Sequence, residues 1–175
     1  MQRVAVRRKV EPVVAAARAG LGGYDHVDAV AVDVEPGVTA VDFTRRMLQS
    51  PPRWVRSLLA VRDAAVAPFG LKQRERGAPA AVAVGARIGP LRLLSVADDE
   101  VLAGDNDKHL SFRCSFAVRQ GPHGPEAVCT TVVRFHRRAG RLYFRAIEPF
   151  HHAVIAGLVK RGARRAAPGE SANAR

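Results

Sequence analysis

The order of elements in the sequence predicts an α+β fold: an antiparallel sheet whose apolar face is covered by a long C-terminal helix. Three observations carry that prediction. Over residues 109–119, Leu110, Phe112, Cys114, Phe116 and Val118 alternate with His109, Ser111, Arg113, Ser115 and Arg119, the period of a strand with one buried and one wet face. From Gly140 onward the apolar period lengthens to that of a helix. Two helical patterns lie between a first strand and all the later ones, so helices and strands are segregated rather than alternating.

Residues 1–24 read as a flexible basic arm, with a short helix after Pro12 that Gly20, Gly22 and Gly23 stop. Val30, Val32 and Val34 share one face of a first strand over residues 26–34, and Asp28 lies on that face at its start. Glu35-Pro36-Gly37 is a turn. Thr39 caps a helix from Ala40 with Asp42 in its first turn, and Val41, Phe43, Met47 and Leu48 are its apolar positions. Ser50-Pro51-Pro52 ends this helix and starts a second, since proline suits a first helical position. The second helix carries Trp54, Val55, Leu58, Leu59, Val61 and Val66, and ends near Pro68 and Gly70.

Residues 71–79 read as a basic loop. Strands are expected over residues 81–88, 91–96 and 100–103, with Gly104-Asp105-Asn106-Asp107 as a turn. After the strand at 109–119, residues 120–126 hold two Gly and two Pro and form a loop. Residues 127–136 return antiparallel, with Cys129, Thr131, Val133 and Phe135 on the apolar side. In the last helix Leu142, Ala146, Phe150, Val154 and Leu158 make one stripe, and Tyr143, Ile147, Ile155 and Val159 the next. Pro149 must kink or divide it. Residues 164–175 read as a disordered tail, leaving 25–163 as the folded domain.

At 175 residues, 47% apolar and 25% charged, the composition is that of one globular domain and excludes a wholly disordered chain. The unusual quantity is a formal charge of +12. Of 28 basic residues only Lys9, Lys72, Lys108 and Lys160 are lysine. Arginine binds phosphate and carboxylate in two-pronged fashion, so an anionic partner fits. The charges are nevertheless spread along the chain with no block of five, and Ala and Arg are abundant throughout. Nucleic acid is therefore not the expected partner. The alternative is a basic module that binds nucleic acid or anionic lipid through Arg3–Lys9 and Lys160–Arg165. No apolar run approaches a membrane span or a signal-peptide core, and Cys114 and Cys129 have no zinc-ligand spacing. A cytoplasmic protein with reduced thiols is expected.

Several segments carry a resemblance. They are Asp105-Asn106-Asp107-Lys108-His109-Leu110-Ser111-Phe112-Arg113, Thr130-Thr131-Val132-Val133-Arg134-Phe135-His136, Gly140-Arg141-Leu142-Tyr143 with Glu148-Pro149-Phe150-His151, and Ser50-Pro51-Pro52-Arg53-Trp54-Val55-Arg56. Over residues 25–162 the chain resembles the START-like superfamily, also called Bet v 1-like, helix-grip or SRPBCC, which includes polyketide cyclases and lipid carriers. It is closest to an uncharacterised bacterial domain-of-unknown-function family, found alone or attached to short-chain dehydrogenase-like proteins. The resemblance implies a curved antiparallel sheet gripping the C-terminal helix around a hydrophobic cavity. It implies no chemistry.

The expected function is binding of a small apolar or amphipathic molecule, and the arginines suit an acidic one. Trp54, Phe112, Cys114, Phe116, Phe135 and Phe150 would line the space, with Arg87, Lys108 and His109 as polar groups near its mouth. Arg134 is a further candidate for an acidic ligand group. Cys114 and Cys129 lack an adjacent base and read as packing residues. His151 and His152 are neighbours on a helix and diverge by about 100°, so they are not expected to face one metal. No cofactor, metal site or catalytic residue is assigned. An enzyme of cyclase or dehydratase type would need a titratable group inside the cavity.

Overall fold

The computed structural model describes residues 5–49, 51–66, 82–88 and 91–164. In chain order the elements are β1 (Val6–Arg8), α1 (Ala15–Ala19), β2 (His26–Asp33), α2 (Ala40–Gln49), α3 (Arg53–Val66), β3 (Arg87–Ile88), β4 (Leu91–Val96), β5 (Glu100–Asn106), β6 (Leu110–Gly121), β7 (Gly124–Phe135) and α4 (Arg138–Gly162). The strands form one antiparallel sheet in the order β1-β2-β7-β6-β5-β4-β3. The fold is thus α+β, with the C-terminal helix laid on an open seven-stranded sheet. Among the described residues no helix is long and apolar enough to cross a membrane.

Alternation decides the two faces of the sheet. Val30 and Val32 of β2, Phe116 of β6 and Cys129 of β7 pack with Phe43 and Met47 of α2 and Ile155, Leu158 and Val159 of α4. This is the front face and the main core. The Thr39 hydroxyl accepts the Asp42 N–H at 3.1 Å, the cap expected for α2. Gly162 lets α4 close on α2, since a Cβ there would lie 2.7 Å from Phe43 Cε2.

The back face departs from expectation. Residues 1–24 were to be a loose arm, but 6–8 pair with Arg8↔Val30 through Val6↔Val32 as an edge strand. Ala17 and Leu21 then bury against Leu102 and Val132, and Val10 and Val13 against Ala29, Ala31 and Val128. The expected wet side of β6 is consequently covered, and Ser111, Arg113 and Ser115 are buried. Backbone carbonyls of the N-terminal segment need donors there, and basic side chains of the sheet supply them. Arg113 donates to Gly20 O at 3.3 Å, Arg134 to Leu21 O, and the Thr130 hydroxyl accepts from Val13 N at 3.0 Å.

Other boundaries shift for local reasons. Gly104, Asp105 and Asn106 continue β5, paired with Arg113, Phe112 and Ser111, and the turn falls after them. Residues 120–126 are mostly strand, because β6 and β7 pair out to Gly121↔Gly124 and leave a two-residue turn. Of the strand expected at 81–88, only Arg87–Ile88 forms among the described residues 82–88, preceded by Gly85 at φ 84°. α4 runs unbroken through Pro149. Ser50, Pro68, residues 71–79 and the tail from 165 lie outside the described residues, as does the side chain of Leu59.

Candidate functional site

β2 begins with two polar residues on the front face, His26 and Asp28, opposite Val133 and Thr131 of β7. They are covered by the middle of α4, which contributes Phe144, His151 and His152. Phe144 is buried, with ring centroids 4.6 Å from His26, 5.5 Å from Phe135 and 6.2 Å from His151. Asp28 is thereby enclosed by three imidazoles. His26 Nε2 lies 3.7 Å and His151 Nε2 3.5 Å from Oδ1, and His152 Nε2 lies 3.7 Å from Oδ2. These separations are ion contacts just beyond hydrogen-bond length.

Burial alone pushes the Asp28 carboxyl up, but His151 and His26 outweigh it and hold it well below the usual carboxylate range. The carboxylate is therefore ionised at neutral pH. Asp28 Oδ1, His26 Nε2, His151 Nε2 and the neighbouring Thr131 hydroxyl are all buried without a hydrogen-bond partner in the protein. Buried polar groups are normally paired, and a local concentration of exceptions is a mark of function. Among the described residues, no group of three or more His, Cys, Asp or Glu side chains has the arrangement to hold a metal ion.

His26 also lines a cleft of about 350 Å³ where α4 crosses the ends of β2 and β7. Phe135, Leu142 and Phe144 provide its apolar wall, and Asp25, Arg141, Arg145 and Glu148 its polar rim. Asp25 organises that rim: one oxygen accepts the Phe135 N–H at 2.8 Å, the other the Arg141 guanidinium at 3.0 Å. The same guanidinium lies 5.7 Å from the centre of the Phe135 ring. His26 thus contacts Asp28 through Nε2 and also lines the cleft.

Of the residues singled out from sequence, only Phe135 belongs to this cleft. Phe116 and Cys114 are buried in the main core and Phe112 packs at its margin. Trp54 and Phe150 face outward, at 48% and 55% exposure. Arg87 sits on the edge strand 3.8 Å from Asp105, and Lys108 is exposed in the β5–β6 turn. Next to it, the His109 carbonyl accepts the His136 N–H at 2.9 Å, close against Gly140, where a Cβ would collide with it. Arg134 serves the back face. Burial pushes the Cys129 thiol up, which keeps it protonated and suits a packing role.

The sequence reading missed the Asp28 cluster. A signal was present: a carboxylate on the apolar face of a strand must be paired or functional. Divergence of adjacent helical residues was taken to separate His151 from His152. Instead they straddle Asp28, one ring meeting each oxygen.

The molecule is thus an α+β domain with a helix over an antiparallel sheet and a buried acid–imidazole cluster beside an open cleft. The chain belongs to the DUF2867 family of proteins of unknown function, whose family model matches residues 20–158. Nothing among the curated proteins and nothing among the solved structures matches the chain.

Proposed function

We propose that this protein binds a small amphipathic molecule in the cleft between α4 and the ends of β2 and β7. The observation that carries the reading is the set of buried polar atoms around Asp28 that have ion contacts but no hydrogen-bond partner in the protein, joined through His26 to a cleft with apolar walls from Phe135 and Phe144. Such a site takes a ligand with a flat or aliphatic body and one or two polar groups. Arg141 and Arg145 at the rim favour an acidic substituent. The element order also suits the helix-grip reading of the sequence, in which the C-terminal helix closes a ligand space over the sheet, in a cytoplasmic bacterial protein.

Native mass spectrometry of the protein purified from its own host tests this. The expected result is a reproducible added mass that disappears on mild unfolding and is reduced in Arg141→Ala. A clean apo mass under gentle conditions would overturn it.

A second reading is favoured by one feature, the His26–Asp28 pair. An ionised carboxylate behind an imidazole that lines a cleft is an arrangement for general acid–base catalysis. His26→Gln separates the readings. A proton-transfer enzyme of dehydratase type should yield, from the variant, a retained molecule differing by one water from that on the wild type. A pure binding domain yields the same molecule from both.

A further inference from the structure

The far end of α4 carries a second concavity, unconnected with the Asp28 cluster. It is a groove of about 890 Å³ into which Arg8 of β1, Arg56 of α3 and Lys160, Arg161 and Arg164 at the end of α4 all project. The described residues that line it include no acidic side chain. None of these five cations makes an ion pair with a described carboxylate. Elsewhere in the molecule Arg7, Arg45, Arg87, Arg119 and Arg141 each have at least one, whereas Arg92, Arg137 and Arg138 also have none with a described carboxylate but line no such groove. Cations near a helix C-terminus are stabilised by the helix dipole, which accounts for Lys160, Arg161 and Arg164. It does not account for Arg8 and Arg56, which arrive from two other elements. Five like charges around one groove, none paired with a described carboxylate, repel one another, and the repulsion is relieved when a polyanion enters.

The groove also holds Trp54, the only tryptophan in the chain. Although it is an aromatic side chain in a helix with an apolar face, it is 48% exposed. It is nonetheless held in place. Its six-membered ring lies against Gly157 of α4 so closely that a Cβ at 157 would collide with Cζ2. Pro51 and Pro52, just before α3, wall the same groove. A positioned, half-exposed indole within a ring of arginines is a stacking platform beside phosphate donors.

We infer that this groove binds single-stranded nucleic acid, with a base stacked on Trp54 and the backbone phosphates on Arg8, Arg56, Lys160, Arg161 and Arg164. The concave form speaks against a flat bilayer as the occupant, because cations on groove walls meet a strand on several sides and a planar surface on few. Binding should be tolerant of sequence, since stacking and phosphate contacts carry little base information. The charges are dispersed along the chain, which is why sequence reasoning set nucleic acid aside. Folding brings residues 8, 56 and 160–164 to one place.

Trp54 reports on its own site by fluorescence. The experiment titrates the full-length protein with a short oligothymidylate, and in parallel with ATP, inorganic phosphate and phosphatidylserine vesicles. The expected result is quenching by the oligonucleotide. Its affinity should fall with a log–log salt slope of roughly −2 to −3.5, corresponding to about three to five phosphate contacts at about 0.7 per contact on single strands. By anisotropy of a labelled oligonucleotide, Arg56→Glu with Lys160→Glu should abolish binding. Trp54→Leu should weaken it about tenfold or more, with Trp54→Phe restoring most of it. The exposed charge reversals leave the core untouched, and the wild-type salt slope tests the idea without any variant. Saturable quenching by inorganic phosphate or ATP with no preference for the strand would overturn the inference in favour of a simple anion site. Blue-shifted, enhanced emission with vesicles and no response to the oligonucleotide would overturn it in favour of a membrane surface. No response to any probe would reduce the groove to a compositional feature.

Discussion

The two faces of the sheet are closed by different physics. On the front, α2 and α4 bury Phe43, Phe116, Val32 and Val159 in a continuous apolar core, which is non-directional and tolerant of small shifts. On the back, a short N-terminal segment pairs as an edge strand and packs in two small apolar clusters, and it is further fastened by side-chain to backbone hydrogen bonds and by one ion-pair network. Arg7 reaches both Asp33 and Glu126 at 2.6 Å, and Arg119 reaches Glu126 at 2.7 Å. Burial alone would raise the Glu126 carboxyl, and Arg119 and Arg7 more than reverse it, so it titrates below the usual range. The comparison teaches that the front is secured by area and the back by geometry. Mutations should therefore grade differently on the two sides.

The largest effect is expected on the front. Phe116→Ala removes a fully buried ring and should cost about 3–5 kcal/mol in urea unfolding. A loss below 1 kcal/mol would mean the front core is not closed as described. On the back, Glu126→Gln keeps the shape but removes the charge that Arg7 and Arg119 share. It should cost about 1.5–3 kcal/mol, and protease susceptibility should rise around residues 6–20 before the rest of the chain is cut. Uniform destabilisation with no local opening would break the distinction between the faces.

Asp28→Asn sharpens the comparison at the polar spot of the front face. The effect should be smaller, about 1 kcal/mol, because an amide is cheaper to bury than a carboxylate and this offsets part of the lost attraction to His26 and His151. Its pH dependence has a definite sign. The native carboxyl is depressed, so its contribution is fully present above about pH 4, where the unfolded group ionises, and is lost as pH falls through the native value. Wild type and variant should thus converge in acid. A gap that widens in acid would show that the histidines do not stabilise the carboxylate. The smallest effect is expected outside both faces: Leu142→Ser, at 67% exposure, should change stability by less than about 0.5 kcal/mol. If Leu142 is an apolar wall of the cleft, the same variant should still weaken ligand retention.

Much of the strand layout was readable from alternation. Val30 and Val32 on β2, Phe116 on β6 and Cys129 on β7 point where period two places them. The helical stripe of α4 was readable in its second half, where Ile155, Leu158 and Val159 are buried, but not in its first. There Leu142 and Phe150 turn outward and Phe144, in neither predicted stripe, turns inward. The first half covers only the ends of β2 and β7, so the sheet beneath it, not the helix's own pattern, selects the buried face. The side-chain ties of the N-terminal segment are single hydrogen bonds, donated by Arg113 and Arg134 and accepted by Thr130, and such ties leave no periodicity in the sequence.

Local chemistry written in consecutive residues was thus determined by the sequence alone: the α+β class, the Thr39 cap, the hairpin of β6 and β7 and the front-facing apolar side of β2, β6 and β7. These depend on neighbours one to four positions apart, where backbone sterics and alternation dominate. Both candidate sites were decided only by tertiary structure. Asp28 meets His151 and His152 across more than a hundred residues, and Arg8 meets Arg56 and Arg164 across three elements. Each is a convergence of side chains whose attraction or repulsion is felt only once the sheet and α4 have fixed their distances, because interactions between charges decay over ångströms in space and not over positions in sequence.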